Sequence, residues 1–272
     1  MIIDDTHRFV FMHIPKCAGS SVRAQLSRWD FRDDAFHQPG HHADLGAVHF
    51  AHLPLAFLRT YYPIEFAKVA TYRSFALTRD PRARFASATI QHLREFRGVR
   101  DLNLDSRRIV SEAHRVIDWL EGKGLFCDLE YIHFSRQIDY VELEGRRIVA
   151  EVFPIEDMSA FAMELEATCG IVFEPERREN ANLAADNPLL ATLRLAKPLY
   201  RRLTSWKDRE RLLLLMRRLK IHDPASLYAR LLANERVARF VEDYYADDFA
   251  LHQASTDRLA MSPAARHEGV DQ

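Results

Sequence analysis

Lys16, Gly19, Ser20 and Ser21 stand together in the stretch Phe9-Val10-Phe11-Met12-His13-Ile14-Pro15-Lys16-Cys17-Ala18-Gly19-Ser20-Ser21, and their types suit the binding of an anion. The lysine supplies a full positive charge, the serines supply hydroxyl donors, and the glycine lets a backbone approach closely. The flanking pattern says what must position them. The apolar run from Phe9 reads as a buried strand, Pro15 ends it, and Val22-Arg23-Ala24-Gln25-Leu26 has helical spacing. The four residues thus fall where a strand turns into the first turn of a helix. Unpaired N–H groups and the positive end of the helix dipole converge there, which suits a phosphate or a sulfate. The order is not that of a Walker A loop, whose Lys directly follows its last Gly, so ATP hydrolysis has no support here. The plain alternative is a corner with capping serines and a solvated lysine.

A second corner repeats the arrangement. Residues 72–78 read as another central strand, and it runs into Arg79-Asp80-Pro81. Pro81 is suited to open a helix that continues through Arg84, Ser87, Ile90 and Leu93. Arg82 and Arg84 read as solvated charges beside this corner. Between the corners, residues 30–46 carry His37, His41 and His42 and read as a loop. They are followed by His49-Phe50-Ala51-His52-Leu53-Pro54 and a short helix from Leu55. Ser106–Leu120 has amphipathic helical spacing. Residues 138–141 and 147–153 bracket Glu142-Leu143-Glu144-Gly145-Arg146 in a hairpin pattern. Asp157 is placed to cap a helix that runs to Ala167 and stops near Gly170, and the chain from Pro188 onward is nearly all helical by period.

Strand, helix, strand, helix and a helical tail point to an α/β core with added helices, and 272 residues without repeat or linker to one domain, 1–272. A composition 47% hydrophobic and 28% charged is that of a soluble globular protein. The net charge of -1 argues against a general nucleic-acid binder. The opening Met1-Ile2-Ile3-Asp4-Asp5 lacks the basic start of a signal peptide, and no stretch approaches a membrane span. Cys17, Cys127 and Cys169 are too few and scattered for a disulfide framework or a zinc site. A cytoplasmic protein is the expectation.

The two corners together resemble the sulfotransferases that use 3'-phosphoadenosine 5'-phosphosulfate (PAPS), and most closely their carbohydrate-type branch. His13-Ile14-Pro15-Lys16-Cys17-Ala18-Gly19-Ser20-Ser21 is similar to that family's 5'-phosphosulfate loop, roughly H-I-P-K-T-A-G-T-S. Leu77-Thr78-Arg79-Asp80-Pro81-Arg82-Ala83-Arg84-Phe85-Ala86-Ser87 is similar to its 3'-phosphate element, roughly L-R-D-P-x-x-R-x-x-S. Ala51-His52-Leu53-Pro54 resembles the G-H-L-P segment with its catalytic histidine. Weaker likenesses lie at Gln137, at Phe153-Pro154-Ile155-Glu156-Asp157-Met158, and at Tyr244-Tyr245-Ala246-Asp247-Asp248-Phe249.

The resemblance implies a P-loop-like three-layer α/β fold, with a mainly parallel sheet between helices and a helical C-terminal extension. It also implies that Lys16, Cys17, Ala18, Gly19, Ser20 and Ser21 hold the 5'-phosphosulfate, while Arg79 and Ser87 hold the 3'-phosphate. A guanidinium suits a phosphate because its planar fork donates twice. Two departures stand out: Cys17 replaces a hydroxyl residue in the loop, and Ala51 replaces the glycine before His52.

The reaction so implied is in-line transfer of a sulfuryl group from PAPS to an acceptor hydroxyl, with PAP as product. Lys16 is expected to donate to the bridging oxygen as it gains charge, and His52, or His49 after it, to take the acceptor proton. No metal is expected, since His37, His41, His42, His49 and His52 lack the i, i+4 helical pairing of a zinc protease. The acceptor class is a carbohydrate or glycolipid. A basic run (Arg194, Lys197, Arg201, Arg202, Lys207, Arg209, Arg211, Arg217, Arg218, Lys220) reads as the solvated face of an amphipathic helix, or as a surface for an anionic glycan or membrane. Arg94, Arg97, Arg100, Arg107 and Arg108 form a second basic group. Tyr61, Tyr62 and Trp119 are stacking candidates that suit a core equally well. The alternatives are a P-loop kinase-like transferase and a non-catalytic nucleotide-binding relative.

Overall fold

The computed structural model describes residues 1–31, 35–99, 106–176 and 224–260. Its centre is a four-stranded sheet in the order β1-β2-β5-β8, with β1 at Ile2–Asp4, β2 at Phe9–Met12, β5 at Arg73–Thr78 and β8 at Glu151–Pro154. β1 pairs antiparallel with β2, while β2, β5 and β8 run parallel. Every residue of β2 is buried, as a strand covered on both faces requires. Helices α3 (Pro63–Thr71), α6 (Met158–Cys169) and α9 (Ala246–Ala260) pack on the sheet. A second apolar cluster joins α4 (Pro81–Phe96), α5 (Ser106–Leu120), α7 (Pro224–Leu232) and α8 (Glu235–Tyr244), around Phe85, Ile109, Val116, Leu120, Val237, Val241 and Tyr245.

The expected punctuation is in place. Pro81 opens α4, and the Asp80 carboxylate caps it by accepting the Ala83 N–H at 2.9 Å. Asp157 caps α6 through the Ala160 N–H, and Gly170 closes it in the left-handed conformation. α1 (Gly19–Leu26) and α2 (Leu55–Tyr61) follow their proposed starts.

Three segments differ from expectation. Residues 30–46 are not all loop: β3 (Pro39–His42) and β4 (Gly46–His49) form a small antiparallel hairpin, with Gly46 at a φ of 72° to turn the chain. Its polar, histidine-rich strands carry no apolar alternation, so nothing in the pattern announced it. The later hairpin is tighter than read: β6 (Glu142–Leu143) pairs with β7 (Arg146–Arg147), and Glu144 and Gly145 make the turn, both with positive φ. Residues 151–153 of that supposed hairpin belong to β8 of the central sheet instead. The helical tail is seen over 224–260, whereas the basic run from Arg194 to Lys220, and Arg100, lie outside the described residues. No described helix is long and apolar enough to cross a membrane.

Candidate functional site

β2 and β5 are parallel neighbours, so their carboxyl ends open side by side on one sheet edge, the place where α/β sheets bind ligands. At the first end the chain enters α1 with no side-chain cap, and Lys16 and Ala18 take left-handed φ values of 66° and 57°. Such strain costs about 1–2 kcal/mol per residue; within the turn the Cys17 N–H reaches the Ile14 carbonyl at 3.4 Å and the Ser21 N–H the Ala18 carbonyl at 2.9 Å. Ser20 is exposed and Ser21 half-buried at the helix start. Gly19 has a specific reason to be glycine: a Cβ there would sit 1.8 Å from the His13 ring. The close approach is to that imidazole. Lys16 is half-buried and donates to Gln91 Oε1. Burial draws its ammonium down to about 8, with Arg79 and Arg94 pulling the same way and Glu95 opposing them.

Cys17 faces inward. Its Sγ donates to Gln137 Oε1 at 3.2 Å, and burial pushes the thiol up to about 12. The side chain at this position is thus engaged with Gln137 and the Pro15 carbonyl, at 3.2 and 3.5 Å.

At the second end, Gln137 grips Arg79 from both sides of its peptide, accepting its N–H at 2.9 Å and donating to its carbonyl at 2.9 Å. Arg79 in turn donates to the Lys16 carbonyl at 3.4 Å, so the two corners touch. Ser87 is half-buried on α4, two turns beyond. Arg82 is exposed and pairs with Glu242. Arg84 corrects the sequence reading: it is 1% exposed and held by the Asp248 carboxylate at 3.4 Å and by the carbonyls of His133 and Ser135. Asp248 also accepts the N–H groups of Gln137 and Ile138, at 2.8 and 2.9 Å. A charge can be buried only when so surrounded. Arg84 and Asp248 thereby set the turn that carries both His133 and Gln137.

Beside Lys16 lies a group of four imidazoles. The His52 ring centroid is 4.4 Å from that of His13, 4.4 Å from that of His49 and 5.5 Å from that of His133. His52 is buried, and its Nδ1 lies 3.0 Å from the His13 carbonyl. A carbonyl only accepts, so Nδ1 carries the proton and Nε2 keeps its lone pair. Tyr140 Oη donates to the His52 carbonyl and fixes the backbone. Burial, reinforced by the other three imidazoles, holds His52 well below 6.5; burial lowers His49 to about 4 and His133 to about 3. All are neutral near pH 7, the state a proton acceptor needs. Ala51 sits in the turn Phe50–His52 without positive φ, so its glycine-to-alanine departure brings no strain.

Other candidates fall elsewhere. Trp119 stacks on Tyr131 at 3.9 Å, Tyr62 packs edge-on against Phe36, and Tyr61 meets His42. Arg97 pairs with Glu112 and Glu130 away from the corners. His13, Gln91, Glu95 and His133 are the neighbours that the sequence reading missed. One regularity pointed to two of them: Ser87, Gln91 and Glu95 recur every four residues, one stripe along α4.

Residues 1–253 match the model of a family described as the sulfotransferase family. Searches of curated proteins and of solved structures returned no match.

Proposed function

The chain belongs to the sulfotransferase family, and from that premise we propose that it moves the sulfuryl group of PAPS to a hydroxyl of a carbohydrate or glycolipid, releasing PAP. The observation that carries the reading is the contact between the two corners, where Arg79 reaches the carbonyl of Lys16 beside an uncapped helix start. A polyanionic nucleotide needs two anion sites, one for each end that carries charge.

In this reading the loop from Lys16 to Ser21 receives the 5'-phosphosulfate through N–H groups and the hydroxyls of Ser20 and Ser21, with Cys17 and Ala18 giving backbone only. Arg79 and Ser87 receive the 3'-phosphate. His52 Nε2 accepts the proton of the acceptor hydroxyl as its oxygen bonds to sulfur, and Lys16 donates toward the bridging oxygen as the sulfur–oxygen bond to phosphate breaks. His49 is the second candidate base. A single sulfotransferase domain in the cytoplasm fits the three free thiols of Cys17, Cys127 and Cys169.

The test is calorimetric titration with PAP in EDTA, with ATP and ADP as controls. Tight binding of PAP alone supports the reading; a magnesium-dependent preference for ATP overturns it in favour of a kinase-like transferase. With PAPS and an acceptor, His52→Ala abolishes turnover and leaves PAP affinity within about twofold, whereas Arg79→Ala lowers PAP affinity at least tenfold, about 1.4 kcal/mol. Turnover surviving in His52→Ala removes His52 as base.

A further inference from the structure

We propose that Glu95 is a positioning residue for sulfuryl transfer, acting through Gln91 to orient Lys16 and to supply its counter-charge. The geometry is a short chain of polar groups. Lys16 Nζ donates to Gln91 Oε1, and Gln91 Nε2 donates to Glu95 Oε1 at 2.7 Å. The other carboxylate oxygen, Oε2, stands 3.9 Å from His133 Nδ1. That nitrogen is buried and has no hydrogen-bond partner among the described residues.

Only one orientation of the amide satisfies both ends. Flipped, it would turn its NH2 group toward the ammonium and its oxygen toward the carboxylate. A cation on one side and an anion on the other therefore lock Gln91, and Gln91 locks Lys16. The carboxylate lies on the third position of the Ser87-Gln91-Glu95 stripe, so one helix face carries a phosphate-site residue and the support for the lysine.

The charge matters as much as the orientation. Lys16 faces Arg79 from the β5 corner, Arg94 and Glu95 from α4, Cys17 from its own loop and His133 from the neighbouring turn. Among these, Glu95 makes the largest contribution to keeping the lysine protonated, and a neutral lysine loses its donor charge for the departing oxygen. Glu95 is 47% exposed, so an isosteric change is compatible with folding.

The role in transfer rests on the sulfotransferase reading, and the first measurement does not. Trace acetic anhydride labels only neutral amines. Labelling of Lys16 in the full chain without nucleotide, followed by peptide mass spectrometry from pH 6 to 10, therefore gives its titration directly. In Glu95→Gln the Lys16 profile moves to lower pH, with labelling at pH 7 increased roughly threefold; Glu95→Asp lies between this variant and the native protein. Gln91→Leu, which breaks the chain at its middle, moves the profile the same way. An unchanged Lys16 profile in Glu95→Gln overturns the proposal. In turnover with PAPS, the alkaline limb of kcat shifts down in Glu95→Gln with the acceptor KM unchanged. A changed KM with an unmoved limb makes Glu95 an acceptor contact and also overturns it. Absence of any native turnover overturns the sulfotransferase reading while the labelling result on Glu95 stands.

Discussion

The two corners at the sheet edge are built from the same elements and finished in opposite ways. At α4, Asp80 fills the helix start, Pro81 removes one N–H, and Gln137 occupies both polar groups of the Arg79 peptide. At α1 no side chain fills the start, two residues carry left-handed strain, and the half-buried Lys16 is drawn toward neutrality. The first arrangement holds the Arg79 backbone in place. The second has no side-chain cap, the N–H groups of Ser21 and Val22 turn back to the Ala18 carbonyl, and Lys16 donates to Gln91. Both corners belong to the proposed site, one braced by its own side chains and the other shaped by left-handed backbone.

The comparison can be broken most forcibly at the scaffold. Asp248→Asn leaves Arg84 buried without its counter-charge and loosens the turn that holds Gln137, so unfolding free energy falls by about 3–5 kcal/mol, read by urea denaturation. Gly19→Ala comes next. The new methyl meets the His13 ring, and repacking costs about 1–3 kcal/mol while PAP affinity falls further than stability alone explains. A loss confined to stability would mean that the loop shape does not matter to binding.

The caps sharpen the contrast on a smaller scale. Asp80→Ala removes a helix cap and costs about 1 kcal/mol. Ser20→Ala, at the uncapped and exposed start of α1, leaves the thermal midpoint unchanged and weakens PAP binding. Equal stability losses in the two variants would erase the distinction. The contrast also has a signature in pH. The four imidazoles are neutral in the fold, with values below the ordinary 6.5. The stability they contribute is therefore complete above pH 6.5 and declines as pH falls toward the values of His49 and His133 near 4 and 3. The thermal midpoint should drop across that window, and His133→Asn should make the drop shallower by about one proton's worth of slope.

The parts legible in the sequence were those announced by local chemistry. Pro81 and Asp157 mark helix starts whatever surrounds them, and the apolar run of β2 admits only a buried strand. Arg84 was misread because a charged residue beside a phosphate-binding motif gives no local hint that Asp248, far along the chain, will bury it. His133 and Glu95 were missed for the same reason. Their meaning lies in what the fold sets against them, and only the four-residue recurrence from Ser87 offered a local clue. The β3–β4 hairpin went unseen because its strands have no apolar face to read.

Cysteines at the positive end of a helix are ordinarily the most vulnerable thiols in a protein, since that field favours the thiolate. Cys17 occupies such a position but turns its sulfur into the core toward Gln137, where burial keeps it protonated. Peroxide and alkylating agents need the thiolate, so the buried, protonated Cys17 should react slowly with either, and mass spectrometry after peroxide or iodoacetamide treatment checks it.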